Sequence, residues 1–137
     1  MKLIIFIFIL LFNLAESQNK TNITSYYELP LENKNNINPL NIDFTELQKK
    51  PKKYNKKFVR VYGFLVVKGK KNILFRDKNS YEHNDTKNAV IVMLYYENLI
   101  GVSDKINQTN VYVSGYFYEI QNNKFKSALL NIHKIEM

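Results

Sequence analysis

Phe58-Val59-Arg60-Val61-Tyr62-Gly63-Phe64-Leu65-Val66-Val67 and Val111-Tyr112-Val113-Ser114-Gly115-Tyr116-Phe117-Tyr118-Glu119-Ile120 are the two stretches on which the fold turns. Both alternate with a period of two, the signature of a half-buried strand. In the first, Val59, Val61 and Leu65 share one face and Arg60, Tyr62 and Phe64 the other. The two stretches also echo each other as Val-x-Val-x-Gly-aromatic, with Gly63 and Gly115 inside the strand pattern. An interior glycine weakens a flat strand. Its usual reason is a bulge or sharp bend, where a strand coils around a small barrel and serves two sheets.

Three further strands are expected between and after these two. Asn72 to Asp77 is a short Ile-Leu-Phe run behind a Lys68-Gly69-Lys70-Lys71 turn. Ala89 to Tyr96 is apolar on both faces, hence central and covered, and Phe125 to Ile135 follows a Gln121-Asn122-Asn123-Lys124 turn. Lys78 to Asn88 reads as a polar loop, and Glu97 to Asn110, with Gly101, as a connection too polar and broken for a long helix. Upstream, Asp43 can cap a short helix from Phe44 to Lys50 with Glu46 at its third position, and Pro51 stops it. The fold class is therefore all-β: a small five-stranded barrel entered through one short helix, over residues 43–137.

The order short helix, Pro51, Tyr54, Lys57-x-Val59-x-Val61-x-Gly63-Phe64-Leu65, a Leu-Phe strand, an Ile-Val-Met-Leu strand, Val111-x-Val113-x-Gly115-x-Phe117 and Leu130-x-Ile132 resembles the OB (oligonucleotide/oligosaccharide-binding) fold. The resemblance covers residues 44 to 135; more narrowly, the chain looks like small exported bacterial OB-like proteins of poorly defined function. It implies a Greek-key barrel whose strand 2 and 3 face, with the adjoining loops, often binds oligonucleotides, oligosaccharides or proteins. One departure is the connection between strands three and four, where OB barrels commonly carry a helix and this chain has room for about a turn.

The amino terminus predicts export. Lys2 precedes the apolar run Leu3 to Phe12, too short to span a bilayer of about 30 Å, and Ala15 and Ser17 are the small residues of a cleavage site after Ser17. Residues 1–17 are thus expected to be a signal peptide and residues 18–42 an extended polar lead-in, placing the protein in the periplasm or outside the cell. The lead-in contains the sequons at Asn19 and Asn22; two more begin at Asn84 and Asn107. They are glycan acceptors only in a eukaryotic secretory route.

The chain of 137 residues carries 18 Lys, 2 Arg and 12 acids, a formal charge of +8, and no cysteine. Absence of cysteine excludes disulfide scaffolds, thiol nucleophiles, zinc fingers and iron–sulfur sites. Lysine binds phosphate as a point charge, whereas arginine supplies the bidentate fork of a nucleic-acid specialist. Lys49, Lys50, Lys52, Lys53, Lys56 and Lys57 surround Tyr54, six lysines in nine residues. They form either a patch for phosphate, nucleic acid or an anionic surface, or a solvated turn guarding the next strand against aggregation. His83 and His133 are the only histidines and stand at no metal-ligand spacing, no carboxylate pair is marked for acid–base work, and no Gly-rich phosphate loop, Gly-x-Ser-x-Gly or Ser-x-x-Lys occurs. No cofactor and no catalysis are expected.

Ten Tyr and nine Phe are the more informative class. Tyr62, Phe64, Tyr95, Tyr112, Tyr116 and Tyr118, interleaved with Arg60, Arg76, Lys78 and Lys126, can form a stacking platform with cationic edges for sugar rings, bases or a protein surface. Alternatively they are good strand formers paired across the sheet. The expected function is an exported OB-like interaction module that recognises a protein or cell-envelope polymer through this aromatic-basic face. Alternatives are an exported single-stranded nucleic-acid binder, or a secreted inhibitor or immunity-type protein.

Overall fold

The computed structural model describes residues 38–68, 71–94, 103–121 and 124–137. The expected signal peptide, most of the lead-in and Tyr95 lie outside them. The strands are β1 (Leu40–Ile42), β2 (Phe58–Lys68), β3 (Lys71–Phe75), β4 (Val90–Val92), β5 (Thr109–Glu119) and β6 (Ser127–Glu136). The short helices are α1 (Phe44–Lys49), α2 (Pro51–Tyr54), α3 (Lys78–Glu82) and α4 (Ser103–Ile106), with a 3-10 turn at Thr86–Asn88.

Strands β2 to β6 close a five-stranded barrel in the order β2-β3-β4-β6-β5 and back to β2. All pairings are antiparallel except β4 with β6, where Ile91 faces Ala128 and Val92 faces Leu129. This is an OB-like Greek key. β1 adds a sixth, parallel strand along the first half of β2, from Leu40 opposite Val59 to Ile42 opposite Val61. Chain order thus runs from the end of the expected lead-in directly into the sheet.

The inward residues follow from the period of two. Val59, Val61 and Leu65 of β2, Leu74 of β3, Val90 and Val92 of β4, Val111, Val113 and Phe117 of β5, and Leu129, Ile132 and Ile135 of β6 form one buried core. Burying a side chain of this size stabilises by roughly 1.5–3 kcal/mol. Phe44 and Leu47 of α1, Tyr54 of α2 and Ile106 of α4 pack into the same core.

The helical segments differ from the sequence expectation in instructive ways. Asp43 caps α1 as its composition implies, its carboxylate accepting from the backbone N–H of Thr45 (2.9 Å) and Glu46 (3.2 Å). α1 ends at Lys49, but Pro51 then opens a second turn, α2, because proline's missing N–H costs nothing at the first helical position. Within the stretch expected to be a loop, Lys78–Glu82 is helical, capped by Asp77 through Ser80 N–H at 2.7 Å. Among the described residues of the connection before β5, the four residues of α4 seat Ile106 in the core, and Gln108 N–H donates to Leu65 O at 2.7 Å.

Both interior glycines are close-approach positions. A Cβ on Gly63 would lie 2.6 Å from Phe75 O and 2.8 Å from Leu74 Cγ, at the point where β2 takes β3 as a partner in addition to β5. At Gly115 the nearest atoms would be Ile132 Cδ1 at 2.8 Å and Leu130 O at 3.1 Å. Here the β5–β6 register shifts between Ser114 and Tyr116, the irregularity that an interior glycine signals.

Candidate binding face

Register assembles the outward residues of β2, β5 and β6 into rungs. Tyr62, Tyr112 and Glu136 form one; Arg60, Ser114 and Lys134 the next; Phe58, Tyr116 and Leu130 the third. Tyr62 and Tyr112 are 47% and 38% exposed, unusual for large rings, and their centroids lie 4.8 Å apart with planes tilted by 51°. Phe58 packs on Tyr116 at 5.2 Å and meets His133 edge-on at 5.8 Å.

Arg60 ties the rungs together. From β2 its Nε donates to Glu136 Oε2 on β6 at 2.9 Å, so the side chain crosses β5 over Ser114, which is consequently buried although it points outward. The guanidinium carbon stacks 3.7 Å from the Tyr112 ring centre, and a second nitrogen donates to Asn41 Oδ1 of β1 at 3.3 Å. Glu136 Oε1 also pairs with Lys134 Nζ at 2.8 Å. The hydrogen bond from Lys134, and then the one from Arg60, hold the Glu136 carboxyl below its ordinary range against the opposing effect of burial. The exposed tyrosines therefore stand on a cross-strand network of Arg60, Glu136 and Lys134 that retains one net positive charge.

Not all the residues singled out in the sequence share this face. Arg60, Tyr62, Tyr112, Tyr116 and Tyr118 do, by strand parity. Phe64 points outward as expected but is buried in a second apolar cluster with Val66, Phe75, Ala89 and Phe125, against which Ile73, Ile91, Ile120 and Tyr81 pack. Tyr81 of α3 lies 5.7 Å from Phe64 and 5.3 Å from Phe75. That cluster covers the outer side of β3 and β4, the face that OB-like barrels often use for ligands. Arg76, Lys78 and Lys126 are exposed on segments bordering it, with Arg76 paired to Asp77 at 3.0 Å and Lys78 near Glu82 at 3.8 Å.

The lysine cluster lies at the end of the barrel where β2 begins. Lys56 N–H donates to Phe117 O at 2.7 Å, Phe117 N–H to Lys57 O at 3.0 Å, and Glu119 N–H to Asn55 Oδ1 at 3.0 Å. The α1–α2 segment is thereby stitched to β5 beside Tyr116 and Tyr118. Lys49, Lys50, Lys52, Lys53, Lys56 and Lys57 are all exposed, and only Lys50 has a carboxylate partner among the described residues, Glu46 at 3.1 Å. Lys56 adopts a left-handed backbone, φ 64°.

Sequence reasoning missed Asn41, Phe58, Ser114, Lys134 and Glu136 as parts of this face. Alternation along β6 does mark Lys134 and Glu136 as outward. What the residues around Ile132 hide is the register shift that brings them beside Tyr112 and Ser114. His133 is half-buried with Nδ1 unpartnered, and His83 Nδ1 lies 2.9 Å from Asn79 O. Among the described residues no group of three or more His, Asp or Glu could hold a metal ion, and no helix is long and apolar enough to cross a membrane.

No protein-family model matches the chain, and no curated protein matches it. Among solved structures it is similar to a Leishmania major Friedlin chain assigned as an aspartyl-tRNA synthetase, with a TM-score of 0.50 and 12% identity. The match covers 90% of this chain and 26% of that one, so this protein spans about a quarter of its neighbour's length. At that identity the likeness is one of fold, and it agrees with a closed OB-like barrel.

Proposed function

We propose that this protein is an exported, non-catalytic OB-like interaction module whose β2–β5–β6 face recognises a protein or a cell-envelope polymer. The observation that carries the reading is the Tyr62–Tyr112 pair: two exposed rings on a closed barrel, in contact with each other, with Tyr112 stacked on an arginine that is itself paired to Glu136. Aromatic surface fixed in this way binds sugar rings or apolar protein surface without a large ordering cost. The leader-like segment Lys2 to Ser17 supports export to the periplasm or beyond.

The test is capture from a cell-envelope extract by the chain from Gln18 to Met137, beside a Tyr62→Ala/Tyr112→Ala variant whose folding is checked by circular dichroism. A partner kept at high salt by the native protein and lost by the variant is the expected result. Equal capture by both proteins would sink the proposal.

A second reading, a single-stranded nucleic-acid binder, is favoured by the unpaired lysines next to Tyr116 and Tyr118, and by the fold likeness to part of an aspartyl-tRNA synthetase. Its mark is a binding constant that falls steeply and linearly on a log–log plot against salt, because each phosphate neutralised releases counterion.

A further inference from the structure

We propose that the lysine ridge running from α1 through α2 to the start of β2 is a second surface, at the opposite end of the face from the Tyr62–Tyr112 rung, which docks the domain onto an anionic lipid bilayer. Lys49, Lys50, Lys52, Lys53, Lys56 and Lys57 stand against three carboxylates, those of Asp43 and Glu46 on the same segment and Glu119 on the adjoining strand. Only Glu46 among these is within salt-bridge distance of a ridge lysine, and Asp43 is occupied as the α1 cap. The remaining charges are uncompensated within the described residues, which defines an anionic partner.

The chemistry of the ridge favours a membrane over a nucleic acid. Single-stranded nucleic acid is held by bases stacking on exposed aromatic rings inside a charged groove. Tyr54, the ring among these lysines, is buried in the core, with its hydroxyl donating to Glu46 Oε1 at 3.2 Å, and the neighbouring Tyr116 and Tyr118 of β5 are half-buried, Tyr116 packed on Phe58 at 5.2 Å. What remains outside is a set of lysine point charges on two short helical turns and the turn that leads into β2, with no arginine fork among them. Flexible ammonium groups of this kind suit a diffuse, laterally mobile field of lipid phosphates, to which each adds about a fivefold gain near the surface.

The placement leaves the other face usable. The Tyr62–Tyr112 rung lies four residues along β2 from Phe58, roughly 13 Å up the barrel from the ridge end. Docking through α1–α2 would hold that rung off the bilayer and open to a partner, whatever that partner is.

The experiment is sedimentation of the chain from Gln18 to Met137 with phosphatidylcholine vesicles, with and without phosphatidylglycerol, at physiological ionic strength. Three variants go alongside: Lys52→Gln/Lys53→Gln, the same pair with Lys56→Gln and Lys57→Gln, and Tyr62→Ala/Tyr112→Ala. The native chain and the tyrosine variant should bind phosphatidylglycerol vesicles equally and ignore phosphatidylcholine. Affinity should fall more than tenfold in the double lysine variant and by roughly 100-fold or more in the quadruple. The double variant changes only exposed side chains with no hydrogen bond to the barrel, so it remains informative if the quadruple variant fails to fold. Absence of vesicle binding by the native chain, undiminished binding by the double variant, or tighter lysine-dependent binding to an oligothymidylate than to the vesicles would each overturn the proposal. Loss in the tyrosine variant would overturn the separation of the two surfaces.

Discussion

Replacing Gly63 with Ala probes whether the sharp approach of β2 to β3 is what the glycine is for. The added methyl would sit 2.6 Å from Phe75 O, 2.8 Å from Leu74 Cγ and 3.0 Å from Leu74 Cδ1. Phe75 is paired in register with Phe64, and Leu74 is fully buried, so neither can retreat without breaking the ladder or the core. Overpacking of this kind costs up to about 3 kcal/mol, offset by about 0.5–1 kcal/mol because alanine restricts the unfolded chain, leaving a net loss near 2 kcal/mol. For a folded unit of this size that lowers the melting temperature by roughly 8–16 °C. Gly115→Ala is the internal control. Its nearest clash, at 2.8 Å, is with the end of the Ile132 side chain, which can rotate, and the loss there should stay below about 1 kcal/mol. Urea unfolding followed by circular dichroism reads both. If Gly63→Ala were as stable as the native chain, or less damaging than Gly115→Ala, the close-approach account of these glycines would be wrong.

Other consequences are open to the same assay. Asn72 is fully buried on β3 with neither side-chain atom hydrogen-bonded, so Asn72→Leu should stabilise by about 1 kcal/mol; a loss of that size would mean the amide has a partner in solution. Phe117→Ala empties the centre of the core and should cost about 4 kcal/mol, enough to unfold much of the population at moderate temperature. Lys56→Gly relieves a left-handed backbone and should raise the urea midpoint by about 1 kcal/mol equivalent, while weakening the binding of anionic vesicles. The lowered Glu136 carboxyl contributes stability that is present above its ordinary pKa of 4.5 and is lost as pH falls through the lower folded value. Acid titration of stability should therefore steepen below about pH 4.5, and Glu136→Gln should flatten that limb; an identical limb in both proteins would remove the ion pair from the account.

Much of the barrel was legible because each strand buries one face, and the period of two records which. Val59, Val61 and Leu65 read as one face of β2 and are in the core, whereas on β6 the Leu130-x-Ile132 pattern holds only for Ile132, with Leu129 rather than Leu130 turned inward. Asp43 read as a cap because a short acceptor just before an apolar pattern has little else to do there. Short helices were less legible. Lys78–Glu82 has no apolar stripe, and only tertiary packing, with Tyr81 laid on Phe64 and Phe75, stabilises one turn of so polar a segment. The same contact explains why Phe64, correctly read as outward, is unavailable to a partner.

Alternation along the chain and the spacing of its turns were therefore enough to determine an all-β barrel, the inward face of β2, the two glycine bends and the basic segment preceding β2, since these are local or nearest-neighbour properties. Which outward residues meet was decided by register between strands distant in sequence. Arg60 finds Glu136 across Ser114, Tyr62 finds Tyr112, and Lys56 and Lys57 come to lie beside Phe117, only because β2 pairs with β5 and β5 pairs with β6 through a register shift. A one-residue change in either pairing would turn those side chains to the opposite face, and no pattern along a single strand records its partner's register.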